Sequence, residues 1–75
     1  MNPSRPLSAT ELLARNLRRQ RLERGLSIDD LSRLTSITKP RLAAIEAATA
    51  QARLDDLSRL ARALGVPIAA LFDAG

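Results

Sequence analysis

The feature that most restricts the fold of this chain is the close succession of signals that start and stop helices. Ser8 and Glu11 fit a capping box, in which the serine hydroxyl accepts a hydrogen bond from a backbone N–H and the glutamate reaches back. Gly25 is a natural left-handed end for the helix that begins after Ser8. Ser27 and Thr38 are two further N-caps. The pattern predicts short helices joined by tight turns.

Apolar residues at intervals of three and four predict which face of each helix is buried. The residues expected in the core are, in chain order, Leu13, Leu17, Leu31, Leu34, Leu42, Ile45, Leu57, Leu60, Ala61 and Leu64. No glycine or proline occurs in residues 47–53, and alanine is the best helix former. The third helix is therefore expected to extend over about residues 38–48 or further.

A fifth short helix is predicted at the end of the chain. Gly65 ends the fourth helix, and Pro67 opens the next segment. This segment carries Ile68, Leu71 and Phe72, which belong in the core by default. Because the segment is short and terminal, the same three side chains are also candidates for a contact between two copies of the chain.

The composition agrees with an all-α fold. Of 75 residues, 14 are Leu and 13 are Ala, whereas Val occurs once and Phe72 is the one aromatic residue. Strands favour the β-branched and aromatic residues that are scarce here. Residues 1–7, with Pro3 and Pro6, lack helical periodicity and are expected to form a flexible arm before a domain of residues 8–75. No apolar stretch is long enough to span a membrane, so we expect a soluble, cytoplasmic protein without membrane contact.

The absence of cysteine and histidine limits the chemistry that the chain can perform. It removes the commonest general base and the commonest metal ligands together. The neighbouring acids Asp29 and Asp30, and Asp55 and Asp56, stand at predicted helix starts, where acidic residues act as caps. We therefore expect no enzymatic activity, metal, cofactor or small-molecule substrate.

Positive charge is concentrated in the first third of the chain. The net charge is +4, and residues 1–24, with six Arg and two Glu, account for the whole surplus. Eleven of the twelve basic residues are Arg, the side chain suited to forked contacts with phosphate or carboxylate. The surplus is compatible with nucleic-acid binding and equally with a solvated basic helix face.

An ordered set of residues resembles the Xre/Cro-like, or phage-repressor-like, helix-turn-helix DNA-binding family. The resemblance covers about residues 13–73 and rests on Leu17, Arg18, Arg21, Gly25, Leu26, Ser27, Asp29, Asp30, Leu31, Ile37, Thr38, Leu42, Ile45, Glu46, Leu57, Leu60, Ala61, Ala63, Leu64, Gly65, Val66, Leu71 and Phe72. It implies a five-helix phage-repressor-like domain. The third helix, about residues 38–48, would then enter the major groove of a two-fold-symmetric operator.

The resemblance also implies which residues contact DNA. They are Arg18, Ser27, Ile28, Thr38, Lys39, Pro40, Arg41, Ala43 and Ala44. Only Lys39 and Arg41 on the third helix are long hydrogen-bond donors, and alanine makes no bidentate base contact. Ile28 stands where many family members have Gln, and Ser36 and Ala48 stand where they have Gly. For Arg18 a solvated position and an acidic protein partner remain alternatives to a phosphate contact.

Two further assignments follow from the resemblance. Arg21 and Glu46 are expected to form a structural ion pair between the first and third helices, with a phosphate contact by Arg21 as the alternative. Family members often dimerise through the last segment, so Ile68, Leu71 and Phe72 are expected at a homodimer interface, with simple core packing as the alternative.

Two functions are compatible with these residues. The first is a sequence-specific DNA-binding regulator of transcription, such as a repressor, that binds double-stranded DNA as a homodimer. The second is a helix-turn-helix fold repurposed as a protein-binding antiactivator or adaptor. In that case Ala43, Ala44 and Ala47 would form a smooth docking surface on the third helix, with weak or no specific DNA binding.

Overall fold

The structure, a computed structural model, describes residues 6–74, and within them it contains four α-helices and one 3₁₀ helix but no strand. The helices are α1 (Ala9–Glu23), α2 (Ile28–Thr35), α3 (Lys39–Glu46), α4 (Leu54–Leu64) and the 3₁₀ helix (Ile68–Phe72). The all-helical prediction is confirmed. Of the expected arm, Pro6 and Leu7 are exposed and outside any helix, and residues 1–5 lie outside the described residues.

The predicted fifth helix is a 3₁₀ helix rather than an α-helix. It begins after Pro67, and the amide of Ala70 donates to the Pro67 carbonyl at 3.0 Å. A five-residue segment has room for little more than one turn, and short terminal turns tighten to i→i+3 hydrogen bonds. Residues 6–74 therefore contain four α-helices, not five.

Two of the predicted N-caps form complete capping boxes. The Ser8 hydroxyl accepts from the amide of Glu11 while the Glu11 carboxylate accepts from the amide of Ser8. Ser27 and Asp30 form the same pair of bonds at the start of α2. Thr38 occupies the N-cap position of α3, but its side chain makes no capping hydrogen bond.

Three α-helices end in the same hydrogen-bonded motif. At the end of α1 the amide of Gly25 donates to Leu22 and the amide of Leu26 donates back to Arg21, with Gly25 at φ +66°. Gly65 is in the same conformation, with φ +70°, at the end of α4. In each case the residue after the last helical turn is left-handed, which a glycine adopts without strain.

The third of these motifs ends α3 at Glu46, earlier than the sequence predicted. The amide of Ala48 donates to Ile45 at 3.1 Å, and the amide of Thr49 donates to Ala44 at 2.9 Å, with Ala48 at φ +60°. The expectation that α3 continues to residue 48 or beyond is wrong. Helix propensity alone does not identify this end, because the left-handed residue is an alanine.

The core lies between the helices and consists of leucine and isoleucine. Helix α1 packs against α3 and the 3₁₀ helix, α2 packs against α3 and α4, and α4 also contacts the 3₁₀ helix. The fully buried apolar side chains are Leu17, Leu31, Leu42, Ile45, Leu60 and Leu71. Leu57 is half-buried at the edge of this core. Leu34 was expected to be buried, but it is 60% exposed, because α2 has only eight residues and turns Leu31 and Thr35 inward instead.

A buried amide attaches the end of the chain to α1. The Asn16 Nδ2 donates to the carbonyl of Leu71 at 3.0 Å and to that of Asp73 at 2.8 Å. Arg15 also donates to the Asp73 carbonyl, at 3.1 Å. These bonds satisfy carbonyls at the end of the 3₁₀ helix, after which the described residues form no further helical turn whose N–H groups could donate to them.

We expect Ala48→Gly to stabilise the fold. A non-glycine residue in the left-handed region costs about 1–2 kcal/mol of stability, a cost that glycine avoids. Part of this gain is offset, because glycine has more conformational freedom in the unfolded chain. The free energy of unfolding, measured by urea denaturation, should rise by up to about 1 kcal/mol. Ala47→Gly, one residue earlier and right-handed, is the control and should lower it. Equal destabilisation by both changes would contradict this account of the helix end.

Candidate nucleic-acid interface

Side-chain hydroxyls brace the turn that joins α2 to α3. Ser36 is left-handed, with φ +61°, and ends α2. The buried Thr35 hydroxyl accepts from the amide of Ile37 at 3.2 Å and donates to the Leu31 carbonyl at 2.7 Å. The Ser32 hydroxyl donates to the Ile37 carbonyl at 2.6 Å. Because both backbone groups of Ile37 are bound, the direction in which the chain enters α3 is defined.

A two-pronged ion pair fixes the other end of α3. The Arg21 Nε donates to the Glu46 Oε2 at 2.6 Å, and its Nη2 donates to Oε1 at 2.9 Å. The Nη1 of Arg21 donates to the Leu26 carbonyl at 2.8 Å. The side chains of Arg21 and Glu46 are only 12% and 9% exposed, respectively. The hydrogen bond with Glu46 raises the pKa of Arg21, and all three guanidinium nitrogens are engaged within the protein, as a structural role requires.

Small side chains cover much of the outer face of α3. Leu42 and Ile45 point into the core, which leaves Lys39, Ala43 and Ala47 exposed at four-residue intervals. Three neighbouring positions complete this surface: Thr38 and Pro40 are exposed and Ala44 is half-buried. The face is narrow and smooth, with its one long exposed side chain, Lys39, at the N-terminal end.

Lys39 and Asp29 form an ion pair between α3 and α2. The Lys39 Nζ lies 3.0 Å from the Asp29 Oδ1, and the two side chains are 60% and 66% exposed. Exposed pairs of this kind contribute about 0–1 kcal/mol, because water and salt screen them. Breaking this pair therefore costs little free energy.

Arg41 is held more firmly, by a carboxylate from α4. Its Nη2 lies 2.6 Å from the Asp56 Oδ2, and the same Oδ2 accepts from the amide of Arg53 at 2.9 Å. Burial of Asp56 opposes its ionisation, but the hydrogen bonds from Arg41 and Arg53 outweigh this effect and lower the pKa of the carboxyl below its ordinary value. The pair spans the loop after α3 and is partly buried.

The start of α2 was expected to lie near a phosphate backbone. Ser27 is exposed there, and its hydroxyl and amide are both used in the capping box. Ile28 is half-buried and packs against the core. The bond from the amide of Ser27 lowers the pKa of Asp30, so this helix start carries a negative charge, which Arg33 neutralises from 2.5 Å. Arg18, the other expected phosphate contact, is exposed on α1.

The three residues expected at a homodimer interface differ in exposure. Leu71 is fully buried within the chain itself, whereas Ile68 and Phe72 are half-buried. Phe72 lines a shallow groove of about 280 Å³ together with Leu13 and Leu57. A partner could touch Ile68 and Phe72 in this conformation, but not Leu71.

Residues 6–74 contain no cluster of acidic residues that could hold a metal ion. Within the same residues, no helix is sufficiently long and apolar to cross a membrane.

With this architecture established, the chain can be assigned to a family. The family model HTH_3, described as helix-turn-helix, matches residues 17–71, so the chain belongs to this family of Xre/Cro-like domains, as the sequence predicted. No curated protein matches the chain in sequence.

Solved structures of similar fold include three regulators. C.AhdI, a restriction-modification controller protein from Aeromonas hydrophila, has a TM-score of 0.81 and is 25% identical over 84% of this chain and 96% of its own. An HTH_3 family transcriptional regulator from Vibrio cholerae has a TM-score of 0.80 and 30% identity over 85% of this chain, which matches 36% of that protein. The hypothetical transcription factor NHTF from Neisseria has a TM-score of 0.84 and 25% identity, over 97% of this chain and 87% of its own.

Sequence reasoning missed two polar residues that the structure makes important. Asn16 lies three residues after Leu13, on the buried stripe of α1, and a polar residue at such a position signals a buried hydrogen bond. Asp56 was read as a cap for α4, which it is, but nothing in the sequence indicated that it also binds Arg41.

We expect strong coupling between Arg21 and Glu46. Arg21→Met or Glu46→Met alone leaves one charge in a partly buried site and should lower the free energy of unfolding by about 3 kcal/mol. The double replacement should cost less than the sum of the two, which a double-mutant cycle in urea measures.

The exposed pair Arg59–Asp55, whose charged atoms lie 3.0 Å apart on α4, is the matched control. Its coupling energy should stay below about 1 kcal/mol. If the effects of the Arg21 and Glu46 replacements simply add, the ion pair does not have the structural role described here.

Proposed function

We propose that the protein is a sequence-specific DNA-binding regulator of transcription that inserts α3 into the major groove of a two-fold-symmetric operator. The observation that carries the proposal is the exposed outer face of α3 in a helix-turn-helix whose two ends are held by the Thr35 and Arg21 contacts. Membership of the HTH_3 family and the likeness to transcriptional regulators support it. Such a protein acts on cellular DNA, in keeping with the cytoplasmic location expected from the sequence.

Affinity in this proposal comes from contacts with phosphates. Lys39 exchanges its exposed partner Asp29 for a phosphate, since the pair is weak in water. Arg18 on α1 supplies a further contact, and so does the Ser27 hydroxyl, whose oxygen accepts in the capping box but whose hydrogen can still donate. These contacts position the protein on the duplex but carry no sequence information.

In this proposal, specificity for a DNA sequence depends mainly on Arg41. It is the other long donor on α3, and guanine offers it two acceptors, O6 and N7, in the major groove. Ala43 and Ala44 contribute by close approach, because an alanine methyl group can pack against a thymine methyl group. A helix surface with so few donors should recognise a short sequence element per subunit.

A homodimer would supply the two-fold symmetry of the operator. In our proposal two copies meet through Ile68 and Phe72, which are partly exposed at the end of the chain, next to the groove that Phe72 lines. The two α3 helices would then lie about 34 Å apart, one turn of DNA.

A second function is favoured by one specific observation. The exposed positions of α3 after Pro40 include Ala43 and Ala47, and Lys39 and Arg41 are both ion-paired within the chain. Small uncharged side chains allow another helix to approach closely. This surface would suit a protein-binding antiactivator or adaptor, and the DNA experiment below distinguishes the two functions.

Arg41→Ala should remove about 1–3 kcal/mol of discrimination between the preferred site and a site with one altered base pair. Arg18→Ala should weaken binding to all sequences alike and reduce the salt dependence by about one phosphate contact. Fluorescence anisotropy with duplexes selected from a random library, at several salt concentrations, measures both.

Arg62→Ala is the matched control, because it removes an exposed arginine from α4 and should leave discrimination unchanged. Thermal melting should show that each variant folds. If the parent protein prefers no sequence at physiological salt, the DNA-reading proposal fails. Loss of binding to a protein partner in Ala43→Glu would then support the adaptor function.

We expect sedimentation equilibrium to give twice the 8.1 kDa mass of one chain at micromolar concentration or on DNA. Ile68→Lys should shift the protein toward monomer, because it places a charge in the proposed contact. Leu22→Lys, which alters an exposed leucine on α1, should not. A parent protein that stays monomeric with and without DNA would rule out this dimer.

A further inference from the structure

We propose that Asp56 is a positioning residue for base reading, whose carboxylate on α4 holds the guanidinium of Arg41 in the orientation that recognises a guanine. The inference rests on the proposed function, in which α3 reads DNA. It adds a residue that lies outside the helix-turn-helix and touches no base itself.

The Asp56 carboxylate is itself held in place. Its Oδ2 accepts from the amide of Arg53 at 2.9 Å and from the Arg41 Nη2 at 2.6 Å. Its side chain is 11% exposed, and that of Arg41 is 33% exposed. Arg41 thus donates to a fixed acceptor at the start of the next helix, while part of its side chain remains at the surface.

Arg41 can read a base while it remains bound to Asp56. A guanidinium has two forks that each offer two parallel N–H groups, one formed by Nη1 and Nη2 and the other by Nε and Nη2. Each of the two Nη2 hydrogens belongs to one fork. Asp56 receives one Nη2 hydrogen, and the other makes only a long, exposed hydrogen bond with the carbonyl of Gln51, at 3.4 Å. In our proposal guanine replaces that weak bond, so that one complete fork binds its O6 and N7 acceptors.

An Arg41 side chain that is oriented before DNA binds favours discrimination between base pairs. A free arginine loses rotamer freedom when it binds a base, and a side chain that is already oriented loses less. An oriented fork also adapts less well to a wrong base pair. Lys39 contrasts with Arg41, because its exposed pair with Asp29 does not restrain it and suits a mobile phosphate contact.

The opposite effect of Asp56 on base reading would be to compete with DNA for Arg41. A carboxylate near DNA repels phosphates, so removing its charge strengthens binding to every sequence. If Asp56 only repelled phosphates and competed with DNA for Arg41, loss of its charge would leave discrimination between base pairs unchanged or improve it. The two effects therefore predict changes of opposite sign in the specificity ratio.

The experiment compares Asp56→Asn with Asp55→Asn, which removes the same charge from the adjacent, exposed residue. Dissociation constants are measured for the preferred duplex, for duplexes with one base pair changed and for an unrelated duplex. Both variants should bind the unrelated duplex more tightly by a similar factor. Asp56→Asn alone should reduce discrimination at the base pair that Arg41 reads, by about fivefold or more, equivalent to about 1 kcal/mol.

Two further variants locate the effect on Arg41. In the Arg41→Ala background, Asp56→Asn should cause no further loss of discrimination, because no guanidinium remains to be oriented. Arg41→Lys keeps the charge beside Asp56 but has no fork, and should discriminate as poorly as Arg41→Ala. Additive losses from Arg41→Ala and Asp56→Asn would overturn the proposal.

A measurement on the parent protein is independent of any folding defect in the variants. An asparagine can still accept from the amide of Arg53, so Asp56→Asn should fold. If it does not, nitrogen-15 NMR of the Arg41 guanidinium provides the test. Hindered rotation about the bond to Nη2, present in the free protein and retained with DNA bound, supports the proposal, and its loss on binding overturns it.

The outcomes separate this inference from the function on which it rests. A parent protein without sequence preference contradicts both. A parent with a clear preference that Asp56→Asn leaves intact contradicts only the positioning role of Asp56.

Discussion

The contact between Arg21 and Glu46 is the interaction on which the arrangement of the first three helices depends. One guanidinium binds the carboxylate at the last residue of α3 and the carbonyl of Leu26 in the turn before α2. Leucine side chains pack in many orientations, whereas a fork bound to a carboxylate has a defined geometry. In a domain this small, the hydrophobic core provides most of the stability, and the ion pair limits the directions that α3 can take.

The basic residues of the helix-turn-helix are less available than the net charge of +4 suggests. Arg21, Arg33, Lys39 and Arg41 each face a carboxylate in the chain. The Lys39–Asp29 pair is 60% and 66% exposed and is therefore screened by water, whereas the Arg41–Asp56 pair, at 33% and 11%, is screened less. In the proposed function, electrostatic attraction to DNA would therefore come from exposed residues, and the paired arginines would orient the surface that meets it.

Much of the fold could be predicted because local signals agree with it. The capping boxes at Ser8 and Ser27, the glycine ends at Gly25 and Gly65, and the buried leucines all depend on residues close in sequence. One error arose where an unusual residue takes a common role. Ala48 adopts the conformation of a glycine and ends α3, so a helix that composition favours stops two residues early.

The sequence by itself determined the helical architecture, because helix caps and apolar spacing act over a few residues, and its ordered motifs identified the family. The residues that contact DNA stay a prediction. Only the tertiary structure decided which carboxylates pair with Arg41 and Lys39. Asp56 reaches Arg41 across 15 residues, and Asp29 reaches Lys39 from another helix. Such pairings depend on how the helices pack, because they join residues that are brought together only once the chain has folded.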